Sequence, residues 1–246
     1  MDEPTIVITG ARGGIGRALA LRLSAAGWRI AAVGRDASQI EDLPAALRIS
    51  ADTTTADGAA QAIEACTQAW GSPPAHLAHC VGSTLIAPLH RTSFEQLDHV
   101  LRVNLMSSLL TLKAWAQALK AAQGRGAAVF VSSVAARIGI ANHEGIAAAK
   151  GGIEAMVRGS AASYASAGLR INAVAPGLTE TPLTAGLLKM PAMREAAERQ
   201  YPLGGIQQAD DVAATMAWLL GPDAARVTGT VVEVDGGFSH IRPIVR

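Results

Sequence analysis

At 246 residues the chain fits one domain better than two, because single α/β sheets commonly reach this length. Half of its residues are apolar and 17% are charged, which excludes an intrinsically disordered chain and supplies enough material for a sizeable core. A net charge of +1 excludes a global field that would draw the protein to nucleic acid or an anionic membrane, and leaves a small molecule as the expected partner.

The opening Met1-Asp2-Glu3-Pro4 is acidic, without the basic start, apolar stretch and small-residue cleavage site of a signal peptide, so a cytoplasmic protein is expected. No apolar run approaches the roughly eighteen residues needed to cross a bilayer. From residue 5 to residue 235, short β-branched runs alternate with longer Ala/Leu-rich stretches of helical period, the pattern of strand–helix–strand units. The strands are predicted at Thr5–Thr9, Arg29–Val33, Leu47–Ala51, His76–Val81, Ala127–Ser132, Arg170–Val174 and Thr230–Val234. Helices are predicted near 15–26, 57–70, 94–122, 145–167 and 209–220, the third opened by Ser93-Phe94-Glu95-Gln96, which has capping-box spacing. Together these predict an α/β fold: a single doubly wound, parallel, seven-stranded sheet with helices on both faces, a Rossmann fold spanning 1–246. The irregular stretch at about 176–208, with Pro176, Pro182, Pro191 and Pro202, is long enough to be a substrate lid. Cys66 and Cys80 lack Cys-x-x-Cys spacing and are expected to be reduced and structural.

Thr9-Gly10-Ala11-Arg12-Gly13-Gly14-Ile15-Gly16 joins the first strand to the first helix. Gly10, Gly14 and Gly16 let the backbone turn tightly and approach a pyrophosphate, whose charge meets the free amides and dipole of the helix N-terminus, with Ile15 in the same turn. A glycine cluster alone is more often an ordinary turn; between a strand and a helix at the head of a parallel α/β chain it favours a nucleotide.

The Thr-Gly-x-x-x-Gly-x-Gly spacing resembles that of the short-chain dehydrogenase/reductase family, and the resemblance runs over nearly the whole chain. It implies that Asp52 contacts adenine, that Asn104 in Val103-Asn104-Leu105 belongs to a catalytic tetrad, and that Ser133, closing Val131-Ser132-Ser133, is the catalytic Ser. Lys150 matches the Lys that holds the nicotinamide ribose, and Pro176-Gly177 with Thr181 the motif that receives the carboxamide. Val234-Asp235-Gly236-Gly237 resembles the family's closing strand, and Gly82 ends the segment that lines the cofactor after the fourth strand. Where an NAD-dependent member would place a carboxylate at the end of the second strand, this chain has Gly34 followed by Arg35. A guanidinium offers a 2′-phosphate a charge-assisted hydrogen bond, so NADP is expected over NAD, with Arg12 facing the same pocket. The alternative is a solvated loop arginine.

Two departures bear on the chemistry. The family's Asn-Asn-Ala-Gly after the fourth strand is His79-Cys80-Val81-Gly82 here, so the amide side chains that brace the sheet are missing. His76-x-x-His79-Cys80 does not read as a metal site, since strand positions three apart face opposite ways. The catalytic Tyr lies thirteen residues after the Ser and four before the Lys; both counts fall on Ile146. Tyr164 and Tyr201 have no Lys four residues on. His143, if Asn142 caps its helix, lies seven residues before Lys150 on one face and is a candidate proton donor, against the reading of a capping or substrate-loop histidine. Two functions therefore stand: an NADP-dependent oxidoreductase acting on an apolar carbonyl or alcohol, and a catalytically silent NADP-binding protein serving as sensor or partner subunit. The resemblance also implies a homo-oligomer, most often a tetramer, paired through helices 94–122 and 145–167.

Overall fold

Runs such as Thr5-Ile6-Val7-Ile8-Thr9 are buried along nearly their whole length, which in a strand requires cover on both faces. The computed structural model describes residues 3–242 and supplies that cover. In chain order the elements are β1 (Thr5–Thr9), α1 (Gly14–Ala25), β2 (Arg29–Gly34), β3 (Leu47–Ser50), α2 (Ala56–Trp70), β4 (His76–His79), α3 (Phe94–Leu101), α4 (Ser107–Ala121), β5 (Gly126–Val131) and α5 (Glu144–Tyr164). Then come β6 (Leu169–Pro176), β7 (Thr179–Glu180), α6 (Pro191–Glu198), β8 (Gln207–Gln208), α7 (Ala209–Leu220) and β9 (Val231–Val234).

Seven strands form one parallel sheet in the order β3-β2-β1-β4-β5-β6-β9, and β7 pairs with β8 in a separate two-stranded ladder. Alternation along each strand divides the core. Val7, Leu77, Ala128, Phe130 and Ile171 pack with Trp115, Leu119 and Ile153 on one face. Ile6, Ile8, Val129 and Val174 pack with Leu19, Leu23, Val212 and Met216 on the other. The order reverses between β1 and β4, so the chain leaves these neighbouring strands in opposite directions and opens a crevice at their C-terminal ends.

Three differences from the expected elements have local causes. The helix predicted over 94–122 is broken by a π-turn at Arg102–Met106, where the Asn104 side chain donates to the Val100 carbonyl at 2.8 Å. The irregular stretch contains α6, which Pro191 opens from the first turn, where its missing N–H costs nothing. β4 ends at His79, two residues early, because Cys80 is the last residue whose amide reaches β1, donating to the Thr9 carbonyl at 3.0 Å.

Candidate active site

Gly10 has φ +68°, and a Cβ there would lie 2.7 Å from the Cys80 carbonyl carbon and the Val81 nitrogen, so only glycine lets β1 and β4 approach this closely. A Cβ on Gly16 would meet the Gly10 carbonyl oxygen at 2.5 Å, and one on Gly14 the Thr181 side chain at 2.7 Å. The glycine turn is therefore closed on one side by β4 and on another by the segment after Pro176-Gly177. Gly13 caps α1 without a side-chain hydrogen bond, leaving the first-turn amides around Ile15 open to an anion.

Arg35 and Arg12 are exposed at the same end of the sheet. Asp36 is already engaged: its Oδ1 accepts from Ser38 N at 3.0 Å and Ser38 Oγ at 2.8 Å, capping a short 3₁₀ turn. These hydrogen bonds, with Arg12 nearby, hold its carboxyl below the usual range. Asp52 accepts from Thr54 Oγ1 at 2.7 Å and Thr54 N at 3.0 Å, which together with Arg35 holds it low as well.

Deeper in the crevice, Gly82, Asn104 and Lys150 converge. A Cβ on Gly82 would lie 3.2 Å from Asn104 Oδ1 and 3.6 Å from Lys150 Nζ. Asn104 is fully buried; its Oδ1 accepts from Ser83 N at 3.2 Å and its Nδ2 donates to Ser83 Oγ at 3.1 Å. Lys150 Nζ is buried and donates to the Val131 carbonyl at 2.8 Å, two residues before Ser133. Burial pushes this amine down to about 8. Ser133 Oγ accepts from Ala135 N at 3.2 Å, which leaves its own proton free.

His143 is not gathered with this group by any hydrogen bond. It is itself the N-cap of α5, with Asn142 before it in the left-handed region at φ 64°, so the expected cap is displaced by one residue. Its Nδ1 donates to the Ala141 carbonyl at 2.8 Å. Ile146 is buried at the Tyr register. Tyr201 is committed elsewhere: its hydroxyl oxygen accepts from Leu178 N at 2.6 Å and its ring stacks on Phe238 at 5.0 Å.

Two buried networks escape a reading of the sequence. His79 replaces the brace that its own motif suggests is lost. Ser107 Oγ spends its proton on the Val103 carbonyl at 2.6 Å, so His79 Nε2 donates to Ser107 Oγ at 2.9 Å and Nδ1 accepts from Thr9 Oγ1 at 2.8 Å. The ring is thereby fixed as the neutral Nε2–H tautomer, joining β1, β4 and α4. The second network lies under Ser133: Glu154 accepts from Ser132 Oγ at 2.9 Å and Arg137 Nε at 3.0 Å, and Arg137 also pairs with Glu233 at 2.8 Å. No spacing rule links residues 17 or 96 apart. Among the described residues no group of three or more His, Cys, Asp or Glu is placed to hold a metal, and no helix is long and apolar enough to cross a membrane.

Residues 10–239 match the family model described as Enoyl-(Acyl carrier protein) reductase. The chain is 34% identical to cis-4-hydroxycyclohexanecarboxylate dehydrogenase of Sinomonas cyclohexanicum, over 97% of this chain and 98% of that one. The chain belongs to the short-chain dehydrogenase/reductase family. Another member, (3R)-3-hydroxyacyl-CoA dehydrogenase of Mus musculus, is 32% identical over 94% of this chain and 95% of its own. The fold agrees with that membership: aldohexose dehydrogenase of Thermoplasma acidophilum superposes with a TM-score of 0.90 at 26% identity, covering 99% of this chain and 97% of that one.

Proposed function

We propose that this short-chain dehydrogenase/reductase is an NADP-dependent oxidoreductase that moves a hydride between nicotinamide and an apolar carbonyl or alcohol. The observation that carries the reading is the convergence, in one crevice, of a glycine cradle that side chains would fill with the Gly82, Asn104 and Lys150 cluster. In this reading the amides around Gly10, Gly14, Ile15 and Gly16 hold the pyrophosphate, Asp52 meets the adenine, and Arg35 with Arg12 meets the 2′-phosphate. Pro176, Gly177 and Thr181 receive the carboxamide, Lys150 the ribose. When bound, the cofactor supplies the hydride. Ser133 hydrogen-bonds the substrate oxygen, Asn104 supports a water relay, and His143 keeps its capping place at α5.

The chain from 176 to 208 acts as the lid of a single domain. Leu183, Leu187, Met190 and Met193 are exposed along it, an adaptable apolar surface suited to an apolar substrate. The related dehydrogenases support the reaction class.

Ile146 favours a second reading, a silent NADP-binding protein, because an alkyl side chain neither gives nor takes a proton. Both readings require the cofactor. Fluorescence titration should show NADPH binding about tenfold to a hundredfold more tightly than NADH, the worth of a hydrogen bond to a charged group at about 1.5–3 kcal/mol. Arg35→Asp should reverse that order. Equal affinities, or a ratio that Arg35→Asp leaves unchanged, contradict the NADP assignment; no binding of either contradicts both readings.

A further inference from the structure

A carbonyl that accepts a hydride must also accept a proton, and the residue that would ordinarily give it is Ile146 here. His79 is a neutral bridge with its one N–H spent on Ser107, and burial pushes it down to about 3. Burial pushes the Cys80 thiol up to about 12, too weak an acid near neutrality. Glu154 is held by Ser132 and Arg137. No hydrogen bond joins His143 to the Gly82, Asn104 and Lys150 cluster, its Nδ1 donating to the Ala141 carbonyl of its own loop, and the Tyr201 phenol, which accepts from Leu178 N, is pushed by burial above its ordinary value. Lys150 differs from all of these. An ammonium has three donors, and the Val131 carbonyl takes one. The nitrogen lies beside Gly82 and Asn104, and no carboxylate among the described residues pairs with it.

We infer that Lys150 is the proton donor of this chain, its ammonium delivering to the substrate oxygen the proton that a phenol at position 146 would have given. The inference rests on the oxidoreductase reading above. Hydride from a reduced nicotinamide adds to the carbonyl carbon, the C=O π pair moves to oxygen, and that oxygen takes the Nζ proton directly or through the Ser133 hydroxyl. The alcohol, the oxidised nicotinamide and a neutral amine result, and water reprotonates the amine. The groups nearest Nζ are His79 at the end of β4, Cys80 just after it, Asn104 from the π-turn across Gly82, and the Val131 carbonyl at the end of β5. All are uncharged near neutrality, so burial sets the amine's acidity, bringing it near the pH at which a general acid works best.

The test has one arm without cofactor and one with it. Lys113, Lys120, Lys150 and Lys189 are the chain's four lysines, so ¹³Cε-lysine NMR of the apo protein resolves each titration, and Lys150→Arg identifies the signal. Lys150 should titrate near 8. With NADPH and a ketone panel, kcat should fall tenfold per pH unit above about pH 8. In Lys150→Arg, which keeps the charge but cannot titrate in this range, the step should vanish and kcat drop about 10²–10³-fold. The KM for NADPH should change far less, whereas a lysine that only held the ribose would move KM first. His143→Gln should retain the step.

An ordinary Lys150 midpoint, a step that survives in Lys150→Arg, or a step abolished by His143→Gln overturns the inference while leaving the oxidoreductase reading intact. NADPH bound with no turnover of any ketone overturns the oxidoreductase reading, and this inference with it.

Discussion

His79 stays neutral because protonation would place a charge in the core, between two hydroxyls whose protons are already directed by the network. Its folded value, about 3, lies below the ordinary 6.5, so at pH between these limits the unfolded chain binds the extra proton. This contribution to stability is complete above about pH 6.5 and is lost as pH falls, by about 1.4 kcal/mol per unit. Chemical denaturation at pH 7 and pH 4.5 should show a drop of about 2–3 kcal/mol assignable to this residue, and His79→Asn, which does not titrate, should lack that part. An equal drop in both proteins would show that His79 is not buried neutral. The sequence points to a missing amide here and conceals its replacement, because the partner Ser107 lies 28 residues away on a helix whose rotation the π-turn resets.

At the scale of elements, α5 carries the consequence of the Tyr-to-Ile difference. Ile146, Lys150 and Glu154 recur every four residues and all are buried, so a side chain placed at 146 shares the face of Lys150. Ile146→Tyr should therefore put a phenol one turn from the ammonium, which lowers its pKa, and carbonyl reduction should rise by at least about tenfold. The larger ring costs about 1–3 kcal/mol of overpacking, read as a lower Tm. A correctly folded variant with no gain on any carbonyl would mean that Ser133 and Asn104 do not face the reacting oxygen. The helical period of α5 is legible in the sequence because Ala, Gly and Ile repeat along it. The break in 94–122 is not, since a π-turn inserts one residue without a Gly or Pro to mark it. Pro191 reads as a loop residue until its place at a helix start is seen.

At the scale of the whole molecule, the seven strands are legible in the sequence to within about two residues because the central runs are buried on both faces and mostly apolar, whereas the edge strands β3 and β9 are partly exposed and carry Arg48 and Glu233. The order β3-β2-β1-β4-β5-β6-β9 is not legible there, because the alternation of strands and helices does not say which strands become neighbours. Quaternary structure is carried by the surface. Leu101, Met106 and Leu109 are each at least 40% exposed along the α3–α4 segment, more apolar surface than a solvated helix needs. This segment beside α5 should pair across a two-fold axis, giving a homo-oligomer. Light scattering should report a multiple of 25.2 kDa, and Met106→Glu with Leu109→Glu should reduce it. A wild-type monomer at micromolar concentration would contradict the pairing.

The proposed function requires that a hydride leave the nicotinamide and reach a substrate carbon in this crevice. Its most direct measurement is transfer of label: the purified chain with NADPH deuterated at the reactive position of the ring, a panel of apolar ketones, and mass spectrometry of the products. The expected product is an alcohol carrying the deuterium on its carbinol carbon, formed in proportion to the NADPH oxidised. NADPH that binds tightly while every ketone returns unchanged and unlabelled would contradict it.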